Sequence, residues 1–99
     1  MLSIDKTIEN GAALFSLGGR LDTTTAPQLE SELKTALAGV SELTFDLGKL
    51  EYISSAGLRV LLSTQKTMNK QGTMKVTHAN EMILEIFEVT GFADILTIE

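Results

Sequence analysis

The sequence predicts an α/β fold in which three or four helices pack on a mixed, mostly parallel β-sheet. Alternating apolar and polar residues, typical of strands, are separated by segments whose apolar residues recur every three or four positions, typical of helices. Two strands come first, and helices and strands then alternate. Because strand–helix–strand connections of this length favour parallel neighbours with right-handed crossovers, most of the sheet is expected to be parallel. The 99 residues contain no linker or internal repeat, so we predict a single domain over 1–99.

The first two strands form a predicted hairpin. Residues Met1 to Ile8 alternate in polarity, Asn10-Gly11 is a hairpin-type turn, and Ala12 to Leu17 is a second apolar stretch. The second strand is expected to end at Gly18-Gly19. We interpret these two glycines as a bulge or bend, because no helix begins there.

The first helix is predicted to start after Thr25 and to run to about Ala38. Thr25 is the expected N-cap, Pro27 fits the first turn, and Gln28 completes a capping box three residues after Thr25. Gly39 is expected to end the helix. The apolar residues that should face the sheet are Ala26, Leu29, Leu33, Ala36, Leu37 and Val40.

A strand and a second helix follow. The strand covers Leu43 to Leu47 by its period-two pattern and is predicted to stop at Gly48. The helix is predicted from about Ala56 to Lys70, and Gln71-Gly72 closes it. Its inward side chains are expected to be Leu58, Leu61, Leu62, Gln65 and Met68.

The last third of the chain predicts a strand, a third helix and a final strand. The strand covers Thr73 to Thr77, and the helix runs from Asn80, its N-cap, to Gly91. A short closing strand is expected from Ile95 to Ile98. The apolar stripe of the third helix is predicted to consist of Met82, Ile83, Ile86 and Phe87.

Composition excludes several classes of function. Eight Lys and Arg residues against 13 Asp and Glu residues give a formal charge of −5, and no basic cluster is present to neutralise phosphates, so a nucleic-acid partner is not expected. No apolar run approaches the roughly 20 residues of a membrane span, and the start of the chain lacks the apolar stretch of a signal peptide. We therefore expect a cytoplasmic protein without a membrane span. Cysteine is absent, which excludes a disulfide scaffold.

The sequence offers little for catalysis. His78 is the only histidine, and it is expected to be a partly exposed residue at the end of a strand. Without cysteine or a second imidazole, a zinc site is not expected, and no phosphate-binding loop or dinucleotide fingerprint is present. We therefore predict no enzymatic activity, catalytic residue, metal or cofactor.

The segment around Ser54-Ser55 stands apart from the scaffold, since two serines join a strand to a helix. One serine is explained as an N-cap. Gly57 in the first turn lowers helix propensity, which suggests that another surface approaches the backbone there. A helix N-terminus also tolerates a phosphate, because its free N–H groups and its dipole both favour negative charge. The residues alone leave two alternatives open, a capping role and a phosphorylation switch.

Three motifs together resemble the STAS domain of bacterial anti-sigma factor antagonists. The family has a Gly-x-[Leu/Ile/Val]-Asp-x-x-Thr-Ala stretch, here Gly19 to Ala26, and an Asp-Leu strand end, here Asp46-Leu47. Its aromatic-x-Asp-Ser-[Ser/Ala]-Gly-Leu motif corresponds to Tyr52 to Leu58. The resemblance covers essentially the whole chain, and it is carried by the three motifs as a set.

The resemblance implies partner switching in transcription regulation. The unphosphorylated antagonist binds an anti-sigma factor that is also a serine kinase, which frees a sigma factor; phosphorylation releases the antagonist, and a serine phosphatase restores it. The phosphorylated serine of the family falls on Ser55, and Ser54 stands where the family usually has Asp. The expected partner-binding residues are Asp22, Thr23, Thr24, Ser54, Gly57, Leu58 and Arg59.

Two other functions remain as alternatives, a nucleotide- or small-ligand-sensing domain and an adaptor that is never phosphorylated. Arg20 and Arg59 are the only arginines, so the cationic clamp that a nucleotide needs is missing. A monomer is expected, because the chain has neither a heptad pattern nor an obvious exposed apolar run.

Overall fold

The structure is a computed structural model that describes all 99 residues. Its strands are β1 (Leu2–Glu9), β2 (Ala12–Leu21), β3 (Glu42–Ile53) and β4 (Thr73–Thr77), and its helices are α1 (Ala26–Ala36), α2 (Ser55–Asn69) and α3 (Glu81–Thr90), followed by a 3₁₀ turn, Phe92–Asp94. The strands form one sheet in the order β1-β2-β3-β4. Strand β1 is antiparallel to β2, and the other two pairs are parallel. The predicted α/β class with a mixed, mostly parallel sheet is confirmed.

One face of the sheet carries the core. Alternate residues of β2, β3 and β4 are buried on that face, among them Phe15, Phe45 and Val76, and intervening residues such as Leu14 and Lys75 are exposed. The face also receives the apolar stripes of the helices, and 24 buried apolar side chains form a single cluster. No helix of the protein is both long enough and apolar enough to cross a membrane.

Strands β2 and β3 are longer than the sequence predicted. Strand β2 passes through Gly18-Gly19 to Leu21, and β3 passes through Gly48 to Ile53. The pairing of the two strands shifts register between Ser16 and Gly18 and again between Gly19 and Arg20. The bulge interpretation of the two glycines is therefore right, whereas the predicted strand ends at Leu17 and Gly48 are wrong. Pairing resumes after each irregularity because Leu21 and Ile53 still bury their side chains on the core face.

The predicted capping box at the start of α1 is wrong. Thr25 precedes the helix, but its hydroxyl does not cap the first turn; it donates instead to the Arg20 carbonyl at 2.9 Å and accepts from the Asp22 amide at 2.8 Å. The helix ends at Ala36, two residues earlier than predicted. Gly39 lies beyond it with φ +78°, so a left-handed residue reverses the chain toward β3.

Two predictions for the C-terminal third are wrong. Met82 keeps 51% of its surface exposed, because the packing face of α3 is centred on Ile83 and Phe87, which are both fully buried. The expected last strand is reduced to one parallel bridge between Val76 and Ile98, because a 3₁₀ turn occupies the residues just before it.

On α2, Leu62 is only partly buried, and the other expected inward residues are buried.

The contrast between Phe87 and Met82 gives a test of this packing. Truncating a fully buried phenylalanine leaves a cavity, so Phe87→Ala should lower the free energy of unfolding by about 3–5 kcal/mol. Met82→Ala on the same helix should change it by less than about 1 kcal/mol, because half of that side chain is already in water. Urea denaturation of both variants measures the two values, and similar losses would contradict the orientation of α3.

Candidate functional site at the start of helix α2

The two loops that carry the sequence motifs meet at one edge of the sheet. Strands β2 and β3 are parallel neighbours in which Leu21 pairs with Ile53, so the chain leaves both strands at the same level. The Ser54 amide donates to the Leu21 carbonyl at 2.9 Å, which joins the two exits directly. The loop from Asp22 to Thr25 is therefore held beside the first turn of α2.

Ser54 and Ser55 have different environments. Ser54 is the N-cap of α2; its backbone is extended, and its hydroxyl accepts a long hydrogen bond of 3.5 Å from the Gly57 amide. Ser55 is the first residue of the helix, and its side chain is exposed. No hydrogen bond within the chain holds the Ser55 hydroxyl. The structure thus separates a serine that stabilises the helix from a serine that is free at its N-terminus.

Gly57 and Leu58 lie beneath this surface. A Cβ atom on Gly57 would lie 2.7 Å from Leu21 Cγ and 2.9 Å from Ile53 Cγ1, closer than side chains can approach. Leu58 is buried as well. The surface that approaches Gly57 is therefore the core of this chain, not a second molecule as its low helix propensity suggested. Gly57 lets the first turn of α2 sit directly on the ends of β2 and β3.

The Asp22 carboxylate organises the loop before α1. Its Oδ1 atom accepts from the Thr24 amide at 3.0 Å, from the Thr24 hydroxyl at 2.8 Å and from the Thr25 amide at 3.2 Å. The Ala26 amide donates to the Asp22 carbonyl at 2.8 Å. One aspartate thus fixes a turn that leaves Thr23 and Thr24 exposed.

These hydrogen bonds keep Asp22 ionised. Donation by the Thr24 hydroxyl is the largest influence, and with the Thr24 and Thr25 amides it outweighs desolvation and lowers the pKa of Asp22 from 3.8 to about 2. The Asp22 side chain therefore carries a full negative charge at any physiological pH.

Arg20 and Tyr52 form a second fixed group at this edge, and neither is among the site residues predicted from the sequence. Their backbones pair across β2 and β3, and the Arg20 guanidinium lies 4.3 Å from the centre of the Tyr52 ring. Arg20 Nε is also 3.6 Å from Asp22 Oδ2. The contact with Tyr52 could not be found without the register of the two strands, since 32 positions separate Arg20 and Tyr52 in sequence.

Arg59 and Thr23 lie on opposite sides of a groove between α1 and α2. The same groove is lined by Ala26, Pro27 and Ala56. Arg59 is exposed, and no carboxylate lies within ion-pair distance of its guanidinium. The structure therefore brings Asp22, Thr23 and Thr24 to the same side of the domain as Ser55 and Arg59.

His78 lies outside this site, on the opposite face of the sheet from the helices. It is exposed at the end of β4 with φ +60°, and its Nδ1 atom is 3.4 Å from Asp46 Oδ1. This position agrees with the predicted strand-end histidine. No group of three His, Cys, Asp or Glu side chains is arranged to hold a metal ion.

Comparison with known sequences gives matches over nearly the whole chain. The family model described as STAS domain matches residues 3–99. A candidate anti-sigma factor antagonist of Bordetella bronchiseptica, BtrV, is 36% identical over 98% of this chain and 84% of its own length. The anti-sigma-B factor antagonist of Bacillus subtilis is 31% identical over 98% of this chain and 90% of its own length.

Comparison with solved structures gives the same architecture. An anti-sigma factor antagonist from Mycobacterium paratuberculosis superposes with a TM-score of 0.89 at 23% identity, covering 99% of this chain and 85% of the other. The phosphorylated form of the Bacillus cell fate determinant SpoIIAA superposes with a TM-score of 0.76 at 15% identity, covering 100% of this chain and 91% of the other. At these identities the likeness concerns the fold.

The contact between Gly57 and the core can be tested by a rescue. Gly57→Ala should lower the free energy of unfolding by about 1–3 kcal/mol, because the added methyl group overpacks the space next to Leu21. Leu21→Ala by itself should also lower the free energy of unfolding. In the Gly57→Ala background it should lower it by less, because the smaller side chain at position 21 makes room for the added methyl group. A double-mutant cycle by chemical denaturation measures the coupling. Strict additivity would show that Leu21 does not limit the space at Gly57.

The lowered pKa of Asp22 predicts an acid-sensitive contribution to stability. Because the folded-state pKa lies below the unfolded value, this contribution is complete above about pH 4 and disappears as the pH falls toward about 2. Asp22→Asn keeps a hydrogen-bond acceptor but has no ionisation to lose. The stability difference between the natural protein and this variant should therefore shrink between pH 4 and pH 2, as measured by urea denaturation at each pH. A difference that stays constant would contradict the lowered pKa.

Proposed function

This chain belongs to the STAS domain family, and on that premise we propose that it is an anti-sigma factor antagonist that works by partner switching. In this proposal the unphosphorylated protein binds an anti-sigma factor that is also a serine kinase, and the sigma factor is freed for transcription. Phosphorylation of Ser55 releases the protein, and a serine phosphatase restores it. Because bacterial transcription takes place in the cytoplasm, the proposal places the protein there, as a regulator without enzymatic activity of its own. We expect it to act as a monomer.

The difference between the two serines carries the proposal. Ser55 is exposed at the first position of α2 with no hydrogen bond to break, whereas the Ser54 hydroxyl caps the helix. A kinase can therefore reach Ser55 without unfolding the domain. Modification of Ser54 would remove an N-cap, which is worth about 1 kcal/mol. Ser54 stands where the family usually has Asp, and both residues suit an N-cap, so this departure leaves the acceptor at Ser55 unchanged.

The reaction belongs to the kinase partner. The Ser55 Oγ atom attacks the γ-phosphorus of ATP, a new O–P bond forms, the bond to ADP breaks, and the serine proton passes to a base of the kinase. The antagonist contributes only the acceptor hydroxyl. The N-terminal amides of α2 and its dipole accommodate the product phosphate.

Release follows from charge. A phosphoserine adds roughly −1.5 to −2 charges at neutral pH to a surface that already holds the ionised Asp22. A partner surface that fits the neutral hydroxyl then loses contact through repulsion and through the cost of desolvating the phosphate. The docking face in this proposal is formed by Asp22, Thr23, Thr24, Ser54, Ser55 and Arg59, while the buried Gly57 and Leu58 support it from below.

The phosphorylation site is tested with the anti-sigma kinase encoded in the same genome. Incubation with this kinase and ATP should add one phosphoryl group by intact mass, and peptide mapping should place it on Ser55. Ser55→Ala should abolish the modification, whereas Ser54→Ala, the matched control, should leave it in place. A phosphate found only on Ser54 would overturn the assignment of the acceptor. Tight binding without modification would indicate an adaptor that is never phosphorylated.

Two variants of Asp22 distinguish a carboxylate that positions the neighbouring threonines from one that contacts the kinase directly. Asp22→Asn keeps an acceptor for Thr24 and Thr25, while Asp22→Ala removes it and releases the loop. If Asp22 mainly positions the two threonines, Asp22→Ala should weaken kinase binding about tenfold, and Asp22→Asn should weaken it by no more than about twofold. Isothermal titration calorimetry measures both affinities. Equal losses in the two variants would indicate instead that the charge itself contacts the kinase.

A further inference from the structure

The groove between α1 and α2 continues far beyond the docking face around Ser55. Its first half contains Thr23 and Arg59, and its second half contains Leu37 and Gln71 near the other end of the two helices. Both halves share three lining residues, Glu30, Val60 and Ser63. The two halves therefore form one continuous depression, named here the α1–α2 groove.

One wall of the α1–α2 groove begins at Ser55. Residues 55, 59, 63 and 66 of α2 follow one another at spacings of three and four, so they form a stripe along one side of the helix. The last three of them line the groove. From Ser55 to Lys66 the stripe extends about 16 Å, since an α-helix rises 1.5 Å per residue. The phosphorylation site thus stands at the head of the groove.

The groove has an apolar floor and a positive rim. Ala26, Leu33 and Val60 are nearly buried and form its base. Its charged residues are the cations Lys34, Arg59 and Lys66 and the carboxylate Glu30, a balance of 3 − 1 = +2. Glu30 is paired with Lys34 at 3.9 Å. The net positive charge therefore comes from Arg59 and Lys66, which have no acidic partner.

This positive groove stands out on a chain whose formal charge is −5. A membrane with anionic lipids or a nucleic acid would be repelled by most of the protein surface. An apolar groove between two helices with cations on its rim is complementary to an amphipathic protein segment with acidic edges.

We propose that the α1–α2 groove binds an acidic, amphipathic segment of the anti-sigma factor, as an extension of the docking face at Ser55. The inference rests on the proposed function, because it assigns to that same partner the chemistry of the segment that is bound. The apolar side of the segment covers Val60 and its neighbours, and its carboxylates face Arg59 and Lys66. A phosphate on Ser55 then meets the bound segment at the head of the groove, where like charges repel.

The test uses a charge reversal remote from Ser55 and a matched control. Lys66→Glu places a negative charge on the rim, while Lys70→Glu makes the same change of net charge on an exposed residue of the same helix end that does not line the groove. Lys66→Glu should weaken binding of the anti-sigma kinase about tenfold and reduce its dependence on salt. Lys70→Glu should change the affinity by no more than about twofold. Calorimetry at two salt concentrations measures both.

The outcomes separate the groove from the wider proposal. In one outcome the wild-type protein binds the kinase and neither variant loses affinity; in another, Lys66→Glu and Lys70→Glu lose the same affinity. Either result would overturn the groove as the binding site but would not contradict the partner-switching function. No binding by the wild-type protein would overturn the proposed function, and the groove assignment with it. A dimer seen by light scattering that Lys66→Glu abolishes would place a second copy of this chain in the groove and would also overturn the proposal.

Ser63→Trp, which fills the middle of the groove, should weaken kinase binding as Lys66→Glu does.

Discussion

The parallel register of β2 and β3 is the constraint on which the rest of the site depends. It brings Leu21 and Ile53 side by side, and the Ser54 amide closes the junction by donating to the Leu21 carbonyl. Because both strands end at one level, the loop that follows each of them must share the same small space. The first turn of α2 then fits over the two strand ends only with a glycine at position 57. A single strand pairing thereby fixes the positions of Ser55 and of the Asp22 loop relative to each other.

Polar side chains fix the conformation of the loop that the strand pairing brings to this edge of the sheet. The Asp22 carboxylate accepts hydrogen bonds from Thr24 and Thr25, and these local bonds offset the cost of its partial desolvation. Arg20, held between Tyr52 and Asp22, balances part of that charge. The loop can therefore present exposed threonines in one conformation, and a partner does not have to order it on binding. Preorganisation of this kind favours affinity without enlarging the interface.

The sequence predicts the elements of this fold well and their junctions less well. The hairpin, the alternation of helices and strands, the caps at Asn80 and Gly91 and most of the core follow from periodicity and from turn residues, which depend only on local chemistry. The continuation of β2 beyond Gly18 depends on a neighbouring strand, and so does the contact of Arg20 with Tyr52. The path of the preceding loop decides whether the Thr25 hydroxyl accepts from a helix amide as an N-cap or, as observed, donates to the Arg20 carbonyl. The motifs are enough to single out Ser55 as a candidate site residue. The α1–α2 groove cannot be predicted in this way, because it exists only where the two helices pack against each other.

The setting of Ser55 determines how a switch at this position can work. Its hydroxyl takes part in no internal hydrogen bond, and the turn beneath it is fixed by buried Gly57 and Leu58, so a phosphate breaks no contact of the domain. A modification that breaks no contact has little leverage over the fold, because a group shifts a conformational equilibrium only by its differential interaction with the two states. The change must therefore be sensed outside the chain, by a surface that touches Ser55. In the proposed function the energy of the switch therefore lies in the interface, where added charge and its desolvation act directly on the partner's affinity, and a domain of 99 residues can signal while remaining rigid.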